Sequence, residues 1–215
     1  MKIDSAALPF VAAAAVPAIV LMVAGVSPAW VVLAALLPVA IGLFFRDPDR
    51  VSPPDRAMVL SPADGRVMHA GPARPNEAPP GEWLQVTIFL SVLDVHINRT
   101  PVAGRVQRIE YVPGTFRAAF KADSHENEHS EIWIDHDGVP IVVRQVVGLL
   151  ARRVVCRLKP GDDLVPGQRI GLMKFGSRMD VFLPPSSSLR VAQGARVVAG
   201  VTEIGRLRSA LENGR

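Results

Sequence analysis

The chain has 215 residues, 49% of them hydrophobic, with a formal net charge of +4 and a single cysteine. A chain of this size holds one ordinary buried domain with apolar sequence to spare, and one cysteine excludes an internal disulfide framework. Aromatic residues make up only 6% of the chain and no basic run is interleaved with them, which argues against a nucleic-acid-binding surface; the modest positive balance suits an anionic lipid surface instead.

No charged residue occurs from Ser5 to Phe45. That run is about twice what one bilayer-spanning helix requires. Pro9, Pro17, Pro28 and Pro38 punctuate it, and Gly25-Val26-Ser27-Pro28 is the natural turn. The pattern predicts an apolar helical hairpin over residues 1–45 that spans or dips into a membrane. A cleaved signal peptide fits less well: Lys2 is offset by Asp4, and the apolar run is too long and is doubled. Lys2 before the hairpin and Arg46 and Arg50 after it place both ends on the cytoplasmic side of a cell membrane. Residues 46–56, rich in proline and charge, read as a linker into a domain over 57–215.

Downstream, short β-branched runs are separated by Gly and Pro. Trp83–Leu90, Arg105–Tyr111, Glu131–Asp135 and Pro140–Val147 read as strands, as do the two arms on either side of Gly176-Ser177. Thr115–Ala122 reads as a short helix or turn, and Ala73–Gly81 as a surface loop. Gly65, Gly104, Gly167 and Gly194 each precede a β-branched stretch, in the manner of the sandwiches that carry biotinyl and lipoyl groups. The expected fold is mainly β with a minor helical part: a compact, Gly-rich sandwich or barrel-like domain preceded by the apolar hairpin.

Three short motifs carry the chemistry. They are Ser61-Pro62-Ala63-Asp64-Gly65, then Leu93-Asp94-Val95-His96-Ile97-Asn98-Arg99-Thr100-Pro101, then Phe175-Gly176-Ser177-Arg178. A glycine before a serine leaves its carbonyl open to the serine oxygen, a geometry suited to a chain that cuts itself. An unactivated serine is a poor nucleophile and needs a base. His96 ends an apolar strand, and Asp94, two residues away, would share its face if the strand continued. Asp64 before Gly65 reads by itself as a turn residue.

With these motifs in this order, the chain resembles the short prokaryotic form of the phosphatidylserine decarboxylase family, from about Phe44 to about Val201. The resemblance implies a self-cleavage triad of Asp64, His96 and Ser177, with Asp64 orienting His96. It implies serinolysis between Gly176 and Ser177: the Ser177 hydroxyl attacks the Gly176 carbonyl, the ester eliminates, and loss of ammonia leaves a covalent pyruvoyl group on a small chain starting at 177. That group would form a Schiff base with phosphatidylserine, accept the electron pair as carbon dioxide leaves, and yield phosphatidylethanolamine. The implied partners are the membrane substrate and the two self-cleaved chains, 1–176 and 177–215, with each other.

Larger relatives carry a second histidine where this chain has Arg99, so that either His96 serves both maturation and turnover or Arg99 replaces the second histidine by binding substrate carboxylate or phosphate. Asn127-Glu128 matches a pair common in the family, near the site or holding a loop. His125 and His129 have helical metal-site spacing, but no third ligand completes a set and no metal is expected. Two other readings stay open. A pyruvoyl enzyme acting on a soluble amino acid leaves the hairpin unexplained, and a membrane-anchored adaptor without catalysis leaves the three motifs unexplained.

Overall fold

The computed structural model describes residues 2–75, 77–117, 126–149, 154–174 and 177–208. Two compact units make up the chain, residues 1–49 and residues 50–215.

The first unit is an apolar helical hairpin. A short 3-10 turn at Ser5–Ala7, capped by the Asp4 side chain, leads into α1 (Leu8–Val23), and α2 (Pro28–Phe44) returns. Pro28 opens α2 at a position where its missing N–H costs nothing. Gly25, at φ +68°, turns the chain between the helices. Two short strands, β1 (Lys2–Ile3) and β2 (Arg46–Asp47), pair antiparallel and clasp the open end, and Phe10 stacks on Phe45 at 5.5 Å between ring centres. The stretch Ser5–Val23 is 19 residues long and apolar enough to cross a membrane. Two helices alone cannot hide their side chains, so Leu8, Val23, Trp30, Val32 and Leu36 are each more than half exposed.

The second unit is almost entirely β. In chain order its strands are β3 (Met58–Leu60), β4 (Gly65–Pro72), β5 (Leu84–Leu90), β6 (Ile97–Arg99), β7 (Gly104–Val112), β8 (His129–His136) and β9 (Val139–Val146). There follow β10 (Val155–Cys156), β11 (Asp163–Leu164), β12 (Arg169–Leu172), β13 (Ser177–Leu183), β14 (Ser188–Leu189), β15 (Arg196–Val197) and β16 (Glu203–Arg206). An eight-stranded antiparallel sheet in the order β11-β7-β8-β9-β13-β5-β4-β15 curls into a half-barrel, flanked by the three-stranded sheets β10-β12-β6 and β14-β16-β3. Alternation sets the core: Val86, Ile88, Ile132, Ile134, Ile141, Val143, Met179, Val181 and Leu183 point one way and are fully buried or nearly so.

The repeated Asp/Ala-Gly-Arg-Val pattern has one physical cause. A Cβ on Gly65 would sit 2.1 Å from the Phe89 carbonyl oxygen, and one on Gly104 would sit 2.3 Å from that of Asp135. At each place a strand starts by pressing its backbone against a neighbour, and only glycine fits. Of the stretch read as helix or turn, Thr115 forms an isolated bridge with Asn127 and 116–117 are loop; 118–122 lies outside the described residues.

Candidate active site

Strand register brings the three motifs to one end of the large sheet. Ser177, the first residue of β13, lies opposite Leu90, the last residue of β5. Gly65, which opens β4, packs against the carbonyl of Phe89 on the other side of β5. After Leu90 the chain turns through Ser91–Val95, and just before β6 the His96 carbonyl accepts a 3.2 Å hydrogen bond from the Met173 amide. Met173 and Lys174 end the described approach to Ser177. Phe175 and Gly176 lie outside the described residues.

Ser177 is fully buried, and its hydroxyl donates to the Lys174 carbonyl at 3.3 Å. His96 is 2% exposed and its Nδ1 lies 2.9 Å from the carbonyl oxygen of Asp94. A carbonyl only accepts, so Nδ1 carries the proton and Nε2 is the basic nitrogen. The tautomer is set by the backbone.

Asp94 reaches His96 by that carbonyl and not by its side chain. The Ser91–Val95 segment is a turn, so the shared strand face expected of Asp94 and His96 does not form. Its carboxylate instead accepts from the Ser91 amide at 2.8 Å, the Ser91 hydroxyl at 2.7 Å and Arg196 at 2.8 Å. Partial burial pushes the Asp94 carboxyl up, but these donors outweigh it and hold it below the ordinary carboxylate value. The role that emerges is to brace the turn whose carbonyl orients His96.

Asp64 is engaged elsewhere. Arg50 binds it bidentately, at 2.6 and 2.8 Å, and the Ala199 amide donates to it at 2.8 Å. Among the hydrogen bonds of the described residues none joins the Asp64 carboxylate to His96. Arg50, expected in the linker, is thus tied to a motif residue and to the Ala199 carbonyl at 2.7 Å.

Arg99 is 5% exposed and donates to the Gly167 carbonyl at 3.0 Å. Asn127 is bonded throughout. Its oxygen accepts from the Thr115 hydroxyl and the Arg117 amide, and its nitrogen donates to the carbonyls of Arg117 and Val147. It fastens a loop. Glu128 is buried beside it, its backbone paired with Thr115 and Val147. His125, proposed alongside His129, lies outside the described residues.

A buried ionic layer beside Ser177 is not anticipated from the sequence. Arg178 contacts Asp180 at 2.8 Å and also pairs with Glu77; Arg144 pairs with Glu131 and with the Glu77 carbonyl. Thr87 donates to Asp180 at 2.7 Å, and Gln85 donates to Thr87 at 3.0 Å. Burial alone would push Arg178 down and Asp180 up. Their mutual attraction, with Glu77 and Arg144, reverses both, raising Arg178 and lowering Asp180. Glu77 comes from the stretch read as a plain surface loop; its side chain is buried under that loop. The legible signal was Arg178 and Asp180 two apart on a strand whose other face, Met179 and Val181, is core.

Comparison with known proteins agrees with the motifs. A model of the family described as phosphatidylserine decarboxylase matches residues 39–205. A Geotalea uraniireducens protein named phosphatidylserine decarboxylase proenzyme is 46% identical over 209 residues, covering 93% of each chain. A Symbiobacterium thermophilum protein of the same name is 49% identical over 182 residues, covering 83% of this chain and 85% of its own. One from Geobacter metallireducens is 43% identical over 210 residues, covering 93% and 94%. With a match across most of its length and the three motifs gathered at one end of its sheet, this chain belongs to the phosphatidylserine decarboxylase family of enzymes.

Proposed function

We propose that this chain decarboxylates phosphatidylserine to phosphatidylethanolamine, using a covalent pyruvoyl group that it makes from Ser177 by cutting itself after Gly176. The observation that carries the reading is the meeting of Ser177, the His96 turn and the Asp64-Gly65 turn around the end of β5. The names of the relatives, each a proenzyme, support it.

In this reading His96 takes the Ser177 hydroxyl proton at Nε2 while the Asp94 carbonyl holds the ring by Nδ1–H. The Ser177 oxygen attacks the Gly176 carbonyl, the amide becomes an ester, and elimination across the Ser177 Cα–Cβ bond releases the upstream chain. The residues present suit such a group. Ser177 is buried away from bulk water at the head of a strand, where it pairs with Leu90 of β5 and the next residue, Arg178, is held from both sides by β5 and β9. A pyruvoyl carbonyl supplies an electron sink for decarboxylation of an amino acid headgroup. Burial of the site excludes water that would compete for a reactive carbonyl. In this reading Asp64 acts as a positioning residue: held by Arg50 and the Ala199 amide, it fixes the turn that opens β4 beside the end of β5. The exposed apolar face of the hairpin suits attachment to the cytoplasmic face of a membrane, where the acyl chains of the substrate remain.

A denaturing gel and an intact mass of the purified protein test this directly. The gel should show two unequal fragments, and the mass of the smaller should fall below that of residues 177–215 as encoded because pyruvate replaces its first serine. One intact band, or a fragment with a free serine at its start, overturns the self-cleavage reading.

A further inference from the structure

The core face of the large sheet changes character just short of Ser177. Across β8, β9 and β13 one row reads Ile132, Val143 and Val181, and the next reads Ser130, Gln145 and Met179. Ser177 follows on the same face, two residues before Met179 in the chain. Asn98, from β6, meets this row: its carbonyl oxygen accepts from the Gln145 side-chain amide at 2.8 Å. Both side chains are fully buried. A polar pair in an otherwise aliphatic core is costly unless its groups are matched, which makes it the informative feature of that core.

The match is incomplete. Among the described residues the Asn98 amide nitrogen and the Gln145 carbonyl oxygen have no hydrogen-bond partner, although both atoms are buried. Turning both amides over exchanges their roles and again leaves one amide nitrogen and one carbonyl oxygen spare. Buried groups left in this state lose their hydration and gain nothing back, so each calls for an explanation. The pair stands beside both groups of the proposed proton transfer. Asn98 is two residues after His96, and Gln145 is the diagonal neighbour of Ser177, about 7–8 Å away by strand geometry. Ser177 is itself fully buried in the uncut chain, so a group that meets substrate there is buried too until the chain is cut.

A spare donor beside a spare acceptor complements an α-amino acid, whose carboxylate accepts and whose amine donates. The pair is also uncharged, which suits a carboxylate that must leave. A guanidinium in its place would hold the charged carboxylate more tightly than the departing neutral carbon dioxide, favouring the ground state over the transition state. We propose that the Asn98–Gln145 pair is the seat of the amine and carboxylate of the serine headgroup; this rests on the function proposed above.

The test uses the full chain after maturation. For binding, its carbonyl is first reduced with borohydride so that nothing is turned over. Glycerophosphoserine should then raise the thermal midpoint, and glycerophosphoethanolamine, which lacks the carboxylate, should do so much less. Asn98→Leu combined with Gln145→Met removes both amides at similar volume, so the midpoint without ligand should hold or rise. The same double variant should lose the response to glycerophosphoserine. Its KM for phosphatidylserine in vesicles should rise by about tenfold or more, the loss of two hydrogen bonds, with kcat changed less. Gln145→Glu keeps the shape but repels a carboxylate, and should reverse the preference towards glycerophosphoethanolamine. A double variant that keeps both the response and the KM makes the pair a core feature only and overturns the proposal. Should the double variant fail to fold or mature, Gln145→Glu decides: an unchanged preference overturns the seat. A chain that stays in one piece yet binds glycerophosphoserine through this pair retains the seat while overturning the function.

Discussion

The two units invert each other's rule for where polarity goes. The hairpin turns valine, leucine and tryptophan outward, with Val23 79% and Trp30 59% exposed. The β unit turns arginine, aspartate and glutamate inward, with Asp180 fully buried and Arg178 3% exposed. Neither arrangement is the least costly one in water. Exposed apolar area forgoes roughly 25 cal/mol per Å², and each buried charge gives up hydration that its partner must offset. The difference separates a surface made for a different solvent from an interior made to hold something in position.

The largest break in the comparison is chemical. Ser177→Ala should leave a full-length chain with no decarboxylation above background, while the hairpin still sediments with vesicles; gel and flotation assays read both. His96→Ala follows, slowing maturation by about 10²–10⁴-fold, the usual contribution of a positioned base. A processing rate equal to that of the unaltered chain would mean another group takes the Ser177 proton.

The buried layer comes next. Arg178→Met leaves Asp180 and Glu77 facing each other and should cost about 3–5 kcal/mol, measured as a shift in the denaturant midpoint. It also has a pH signature. Asp180 is held below its ordinary value, so its stabilisation is complete above the unfolded-state value and is lost as pH falls through the folded one. Acid unfolding should therefore set in below about pH 4, and Asp180→Asn should flatten that part of the curve while lowering the plateau.

Removing residues 1–49 tests the other half of the contrast. Maturation should persist, since all three motifs lie downstream. Turnover of phosphatidylserine in vesicles should fall by more than that of a dispersed short-chain analogue. Equal loss on both would make the hairpin part of the folded catalytic unit. The smallest effect belongs to an exposed pair: Arg56→Ala removes the 2.8 Å contact with Asp137 at the surface and should move the midpoint hardly at all.

The fold was legible wherever local pattern determines the outcome. The uncharged run with Gly25 and Pro28 marks a hairpin, and β-branched runs between glycines mark β5, β7, β8, β9 and β13 to within two residues. Pattern failed at Ser91–Val95, where Asp94 and Ser91 bond each other in a tight turn and end the alternation assumed for His96. It failed again at Arg50, whose sequence position among prolines says linker, whereas its pairing with Asp64 and Ala199 depends on contacts up to 149 residues apart. Glu77 was invisible for the same reason: Arg178, its partner, lies 101 residues away. Pairings of that range are created by sheet order, which no local window contains.

Ser177 sits at the head of β13, and the consequences reach beyond chemistry. A cut before it yields a fragment that begins inside a ladder, with Ser177 opposite Leu90 and Arg178 opposite both Phe89 and Val146. The same fragment laces in twice more, through β15 to β4 and β16 to β3. The break would then behave as a seam: the two pieces stay joined without any covalent bond, and separating them requires melting the sheet. A chain end made there would be clamped from its first residue, where one in a loop would fray, and a reactive group at its tip would inherit the rigidity of the strand behind it.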